Sequence, residues 1–178
     1  MAIEIRLAEL SDIVDLVDHD IRHFREPGFQ GQLAHPFPQS HEWNRDKMMD
    51  DKIQAWPKDV KEEQWARSFI IVDDGNIRGH LNLKNLFSGT LHRAQLGMGL
   101  EESIRGRGLG KELLKTGVQW ARTQNSLHWI DLSVFAHNTP ARKLYSSHGF
   151  IEIATFPDRL RVEDVSIDDV YMTLNLKN

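Results

Sequence analysis

The sequence predicts a single α/β domain. Three observations carry that prediction. An apolar run over about 93–101 leads through a loop with glycines on alternate positions into a strongly periodic helix. Strand-like and helix-like stretches alternate along the rest of the chain, which is the pattern of helices packed on a sheet. And 178 residues, 40 % hydrophobic and 27 % charged, suit one core rather than several domains.

In chain order, Ile3, Ile5 and Leu7 alternate with Glu4 and Arg6, the period of a strand. Ser11 can cap the helix that follows, with Asp12 in its first turn. Ile13, Val14, Leu16, Val17, Ile21 and Phe24 give that helix an apolar face. Residues 25–45 are irregular, with Pro27, Gly28, Gly31, Pro36 and Pro38. Phe29, His35, Phe37, His41 and Trp43 lie among them, an aromatic content unlike that of a disordered linker. A second helix is expected over about 43–55, ended by Trp56-Pro57, then a short exposed helical turn within 58–67. Ser68 to Asp73 and Ile77 to Leu83 read as a hairpin turned at Asp74-Gly75-Asn76. The strand over 93–101 comes next, then a helix to about Gln124 whose stripe is Leu109, Leu113, Leu114, Gly117, Val118 and Ala121. Trp129 to Phe135 is mostly apolar, as a strand buried on both faces should be. Asn138 or Thr139 can cap a further helix, with Pro140 in its first turn and Gly149 at its stop. Strands are expected over about 150–156 and through Val170, Met172, Leu174 and Leu176. The charged stretch 157–168 between them reads as a solvated loop or hairpin end.

The Leu96–Lys111 stretch carries the chemistry. The first four N–H groups of a helix have no partner inside it, and the helix dipole adds about half a positive charge there. Gly106, Gly108 and Gly110 lack a Cβ, so backbone amides can approach a ligand. Arg105 and Arg107 can fork onto phosphate oxygens. The site suits a pyrophosphate. Its glycines run G-x-G-x-G, which is not the dinucleotide fingerprint G-x-G-x-x-G. Arg105 stands where a P-loop needs glycine, and Glu112 where it needs Ser or Thr.

Composition excludes several classes. A net charge of −4, with no basic block, argues against nucleic acid as a partner. No apolar run approaches the roughly 18 residues needed to span a membrane. The first residues lack a signal-peptide layout, so a cytoplasmic protein is expected. Zero cysteines exclude disulfides, thiolate metal sites and a cysteine nucleophile. His19 and His23 lie four apart on a helix, but no third ligand is evident, so no metal is expected.

Arg105-Gly106-Arg107-Gly108-Leu109-Gly110 resembles the acyl-CoA signature R/Q-x-x-G-x-G/A of the GNAT superfamily of N-acyltransferases. Asn138-x-x-Ala141-x-x-Leu144-Tyr145-x-x-x-Gly149-Phe150 matches a second motif of that superfamily, one strand further on. The match covers about 68–156, the acyl-CoA-binding core; residues 25–67 correspond to the variable acceptor side. His92-Arg93-Ala94 resembles the branch acting on ribosomal-protein N-termini, polyamines and related amines.

The resemblance implies a mixed, twisted sheet of about seven strands with about four helices, its central parallel strands 93–101 and 129–135 splayed. It implies acetyl-CoA as co-substrate: pyrophosphate on the amides of Arg105 to Gly110, and pantetheine alongside Met98, Gly99 and Leu100 with Asn138 bonded to it. The activity implied is N-acetylation of a primary amine, on a small metabolite or a peptide N-terminus, by direct attack through a tetrahedral intermediate. Tyr145 would be general acid to the thiolate. The general base is open. Some relatives carry a glutamate five residues before the asparagine, but here Ser133 stands there and cannot serve. Glu101 and Glu102 read as a solvated pair, and Asp131, His80, Glu26, His35 and His41 remain candidates. Ser133 also leaves room for an alternative, a non-catalytic acyl-CoA-binding module. A homodimer is compatible with the fold.

Overall fold

The computed structural model describes residues 3–177. It contains β1 (Ile3–Leu7), α1 (Ile13–His23), α2 (Arg45–Ala55), β2 (Ala66–Asp73), β3 (Asn76–Lys84), β4 (Arg93–Leu100), α3 (Leu109–Thr123), β5 (Trp129–Phe135), α4 (Thr139–Ser146), β6 (Ile151–Val162) and β7 (Val165–Asn175). The seven strands form one sheet in the order β1-β2-β3-β4-β5-β7-β6. All neighbours are antiparallel except β4 and β5, so the sheet is mixed, as the resemblance implied.

Helices cover both faces, because α1, α3 and α4 each have one apolar stripe to bury. α1 packs Ile13, Leu16 and Val17 against Ile70 and Ile77, with Met48 and Met49 of α2 beside them. On the opposite face Leu113, Leu114 and Ala121 of α3 and Tyr145 of α4 join Leu81, Leu96, Ile130 and Met172 in the larger core.

The feature that positions the site is the β4–β5 pairing. It holds for Arg93↔Trp129, Ala94↔Ile130 and Gln95↔Asp131 and then stops, although β4 runs on to Leu100 and β5 to Phe135. The two central strands part like a wedge.

Two expectations need correction. Residues 58–65 are a series of turns, with no helix, and β2 begins at Ala66. The charged stretch 157–168 belongs to a long hairpin: β6 and β7 pair out to Val162↔Val165, broken between Phe156 and Leu160. Glu163 and Asp164 turn it with φ of 48° and 65°, as a tight two-residue hairpin turn requires. Most of β6 is exposed, so its polar residues fall on both faces and hide the strand period.

Candidate active site

The mouth of the wedge is built by the glycine loop. A 3-10 turn at Glu102–Ile104 ends β4, and Gly106 and Gly108 then take φ of 74° and 79°. Gly108 is the N-cap of α3, so the free N–H groups of the helix point at the mouth. A Cβ added at Gly106 or Gly108 would meet nothing within 4 Å, which leaves the backbone open to a ligand. Gly110 lies inside the helix, near Leu100 of β4 and Leu144 of α4, where β4, α3 and α4 converge.

The two arginines of the loop are engaged. Arg105 donates to the Leu100 and Pro27 carbonyls and to Glu26 Oε2, at 2.9, 3.0 and 2.9 Å. Arg107 pairs with Asp73 at 2.9 Å. In this state Arg105 ties the loop to the chain after α1, and the backbone amides are the open anion donors.

The second motif lies on the other side of the wedge. The Asn138 carbonyl oxygen accepts from Ala141 N at 3.2 Å and caps α4. Tyr145, 6 % exposed, packs its ring against Phe150, and burial pushes its phenol up to about 12. Among the described residues its hydroxyl has no hydrogen-bond partner.

The α1 side of β4 is different in kind. Arg93 pairs with Asp131, so the 93, 95, 97, 99 row of β4 shares a face with the 131, 133, 135 row of β5. Gly97 is exposed, with open space where a Cβ would point. Gly99 is covered by His23 of α1: a Cβ there would stand 2.4 Å from its Nε2.

Behind His23 lies a buried polar network. His19 contacts Glu101 Oε1 through Nδ1 at 2.9 Å and His80 Nδ1 through Nε2 at 3.0 Å. His80 Nδ1 is 3.1 Å from Asp20, which pairs with Lys52 at 3.1 Å. Arg22 and Arg78 reach Glu101 at 3.0 and 2.7 Å. Burial and neighbouring charge drive all three imidazoles down, His19 and His23 to about 4 and His80 to about 3. Burial alone would raise Glu101, but hydrogen bonds from His19 and Arg78 and the Arg22 charge hold it below the usual range. Reading Glu101 as one of a solvated pair is therefore corrected. It is 3 % exposed, while Glu102 is exposed. The network was illegible locally, since His19 and Glu101 are 82 positions apart.

His19, Asp20 and His80 bring ligand atoms within 4.8 Å of one another, as a metal site would. Charge argues against that use. Arg22, Arg78 and Lys52 already give three cations against the two carboxylates Glu101 and Asp20. A dication would add two more charges to a cluster that already carries an excess of one.

Asp131 is likewise committed. Arg93 grips it through two bonds of 2.6 Å, and Thr173 adds a third of 2.6 Å. Burial raises Asp131, but these donors outweigh it and hold it low. Asp169 of β7, 7 % exposed, is the carboxylate that the sequence reading missed. Burial raises it, and the Ser133 hydroxyl and Arg159 offset this only in part. Its one signal was an acid beside the last apolar alternation, in the opposite phase to Val170 and Met172.

The 25–45 segment arches over this face. The Leu33 carbonyl lies 3.0 Å from His137 Nε2, and Gln39 N donates to Glu163 Oε1 at 3.1 Å. Its Phe37, His41 and Trp43 cluster edge-on and tilted, and Trp43 stacks on Phe24 at the end of α1. A separate cavity of about 470 Å³ opens between α2 and β2–β3, near Lys52, Trp65 and Asn82. No helix among the described residues is long and apolar enough to cross a membrane.

The family model described as the acetyltransferase (GNAT) family matches residues 21–150. YwnH of Bacillus subtilis (strain 168), provisionally described as a phosphinothricin acetyltransferase, is 26 % identical over 96 residues. That match takes in 52 % of this chain and 58 % of YwnH, so the chain spans little more than half of that relative. The structure of yncA from Salmonella typhimurium, solved with acetyl-CoA, is similar with a TM-score of 0.80 at 17 % identity, over 99 % of this chain and 95 % of that one. The ribosomal-protein-alanine N-acetyltransferase of Brucella melitensis gives 0.77 at 20 % identity, over 97 % and 99 %. At these identities the structural likeness speaks for the fold.

Proposed function

The chain belongs to the acetyltransferase (GNAT) family, and on that premise we propose that it moves an acetyl group from acetyl-CoA to a primary amine, of a small molecule or a peptide N-terminus. The observation that carries this reading is the parting of β4 from β5 after three residue pairs, with the open glycine loop at its mouth. The gap exposes strand backbone that an extended pantetheine can pair with, and Met98, Gly99 and Leu100 are the β4 residues for it. The pyrophosphate fits the loop from Arg105 through Gly106, Arg107, Gly108 and Leu109 to Gly110, held by amides and the α3 dipole. Asn138, whose oxygen caps α4, has its amide nitrogen for the pantetheine.

The chemistry is then direct. The amine attacks the thioester carbonyl, and backbone N–H groups near Met98 stabilise the oxyanion. The leaving sulfur takes a hydrogen bond and a proton from Tyr145. Burial serves that role, because a phenol pushed up to about 12 stays protonated until the thiolate appears. The arch from Leu33 to Gln39 roofs the acceptor side.

Calorimetric titration of acetyl-CoA tests the cradle. Gly108→Asp puts a side chain at φ 79° and a negative charge at the anion site, and binding should fall at least about 10²-fold. Equal affinity in that variant would move the coenzyme elsewhere. Tyr145→Phe should bind normally but turn over about 10²-fold more slowly.

A further inference from the structure

We propose that Asp169 is the general base, supplied from β7 to the position that Ser133 leaves without a carboxylate; this rests on the acetyltransferase reading above. The argument begins with register. Beyond Gln95↔Asp131 the next residues of the shared face are Gly97 and Ser133, and they stand across the opening of the wedge with no pairing between them. Both are exposed, although Leu96, Leu132 and Val134 beside them are buried. The face therefore opens where the acyl group of a coenzyme lying along β4 would end.

β5 pairs with β7 through Ser133↔Tyr171 and Phe135↔Asp169, so Asp169 lies on that same face, diagonal to Ser133. Ser133 acts on its carboxylate from there and offsets part of the effect of burial. Across β7, Phe156 of β6 is its opposite neighbour. Asp169 thus sits between two phenylalanines at the edge of the opening, beneath the arch that reaches His137 and Glu163.

Among the carboxylates around the site, elimination points the same way. Asp131 is clamped by Arg93, Glu101 by Arg78 and Arg22, Asp20 by Lys52, and Glu26 by Arg105. Among the described residues Asp169 forms no ion pair. The charged group acting on it is Arg159 of β6, which also stacks over Phe156 at 5.4 Å. A carboxylate whose desolvation is only partly offset is more basic than its clamped neighbours, which is what proton abstraction near neutral pH needs.

The step balances. The amine nitrogen forms a bond to the carbonyl carbon, the carbon–sulfur bond breaks, and one N–H proton passes to Asp169, directly or through one water. Tyr145 gives a proton to the sulfur. Solvent then removes the proton from Asp169 and restores that of Tyr145, leaving an amide and a free thiol.

The test compares wild type with Asp169→Asn, Asp169→Glu and Asp169→Asn/Ser133→Glu. Acetyl-CoA and a panel of L-amino acids, spermidine and an alanine-initiated peptide are the substrates. Asp169→Asn should lose at least about 10²-fold in kcat while its acetyl-CoA Kd stays within about threefold, and the acidic limb of its pH profile should vanish. Asp169→Glu should retain part of the rate. Moving the carboxylate to position 133 in the double variant should recover about tenfold or more. A kcat in Asp169→Asn within about threefold of wild type, or a loss that follows acetyl-CoA affinity or unfolding, overturns the proposal and leaves acetyl transfer standing. A wild type that binds acetyl-CoA but releases no thiol with any amine removes acetyl transfer itself, and Asp169 as its base.

Discussion

Glu101 and Asp169 are equally hidden, at 3 % and 7 % exposure, yet their surroundings drive them in opposite directions. Glu101 closes β4 against α1 and receives His19, Arg22 and Arg78, so its acidity rises despite burial. At Asp169 the Ser133 hydroxyl and the Arg159 charge offset burial only in part, and burial wins. Burial sets the penalty on a carboxylate; the donors around it decide whether the group becomes a structural clamp or a base. The comparison also separates the two ends of this face, one where the carboxylate is clamped by cations and one where it has no ion pair among the described residues.

The largest effect expected at the clamped end is its response to acid. His19, His23 and His80 are held neutral in the fold, at about 4, 4 and 3, against 6.5 in the unfolded chain. Unfolding therefore takes up protons below pH 6.5. The stability contributed by these groups is intact above that pH and is lost as pH falls toward 4. Three protons would give a slope of up to about 4 kcal/mol per pH unit. Urea unfolding from pH 7 to pH 5 measures it; a flat midpoint would mean the imidazoles are not held neutral.

Glu101→Gln should cost about 2 kcal/mol. That is less than the 3–5 kcal/mol of a wholly buried pair, because Arg22 and Arg78 are 47 % and 36 % exposed and solvent screens them. Asp169→Asn should leave the urea midpoint unchanged or raised, since it removes a desolvated charge without a partner. The pH signs differ as well. The Glu101 contribution is lost as pH falls below its ordinary range, whereas Asp169 costs stability as pH rises through its raised value. A similar loss in both variants would erase the distinction.

Arg107→Ala should change stability by no more than about 0.5 kcal/mol, because its pair with Asp73 is 44 % exposed on the arginine side. Its effect belongs to coenzyme binding, where affinity should depend less on salt than in the wild type.

The glycine loop, α3, β5 and the Asn138 cap were legible because each is local: a Gly pattern, a 3.6 period, an apolar run, a capping residue before Pro140. The strand count was legible for the same reason. The clamp and Asp169 were not, because both exist only through tertiary pairing. His80 comes to His19 from β3, 61 positions away. Asp169 gains its meaning from Ser133, a residue on another strand that the Asn138 motif marks only by lacking a carboxylate. The β6–β7 hairpin failed for a third reason. A strand with solvent on both sides has no face to advertise.

The early end of the β4–β5 ladder has one more consequence. A sheet ordinarily confines its unpaired backbone to its two rims, where charge, proline or brevity guards it. This one carries a further pair of rims at its centre, from Leu96 to Leu100 and from Leu132 to Phe135. They run unpaired with each other, and the face between them opens at Gly97 and Ser133. A slender extended chain entering from the mouth could knit that seam. On the proposed reading, a coenzyme paired there would serve as missing fabric as well as cargo, completing the sheet at its middle.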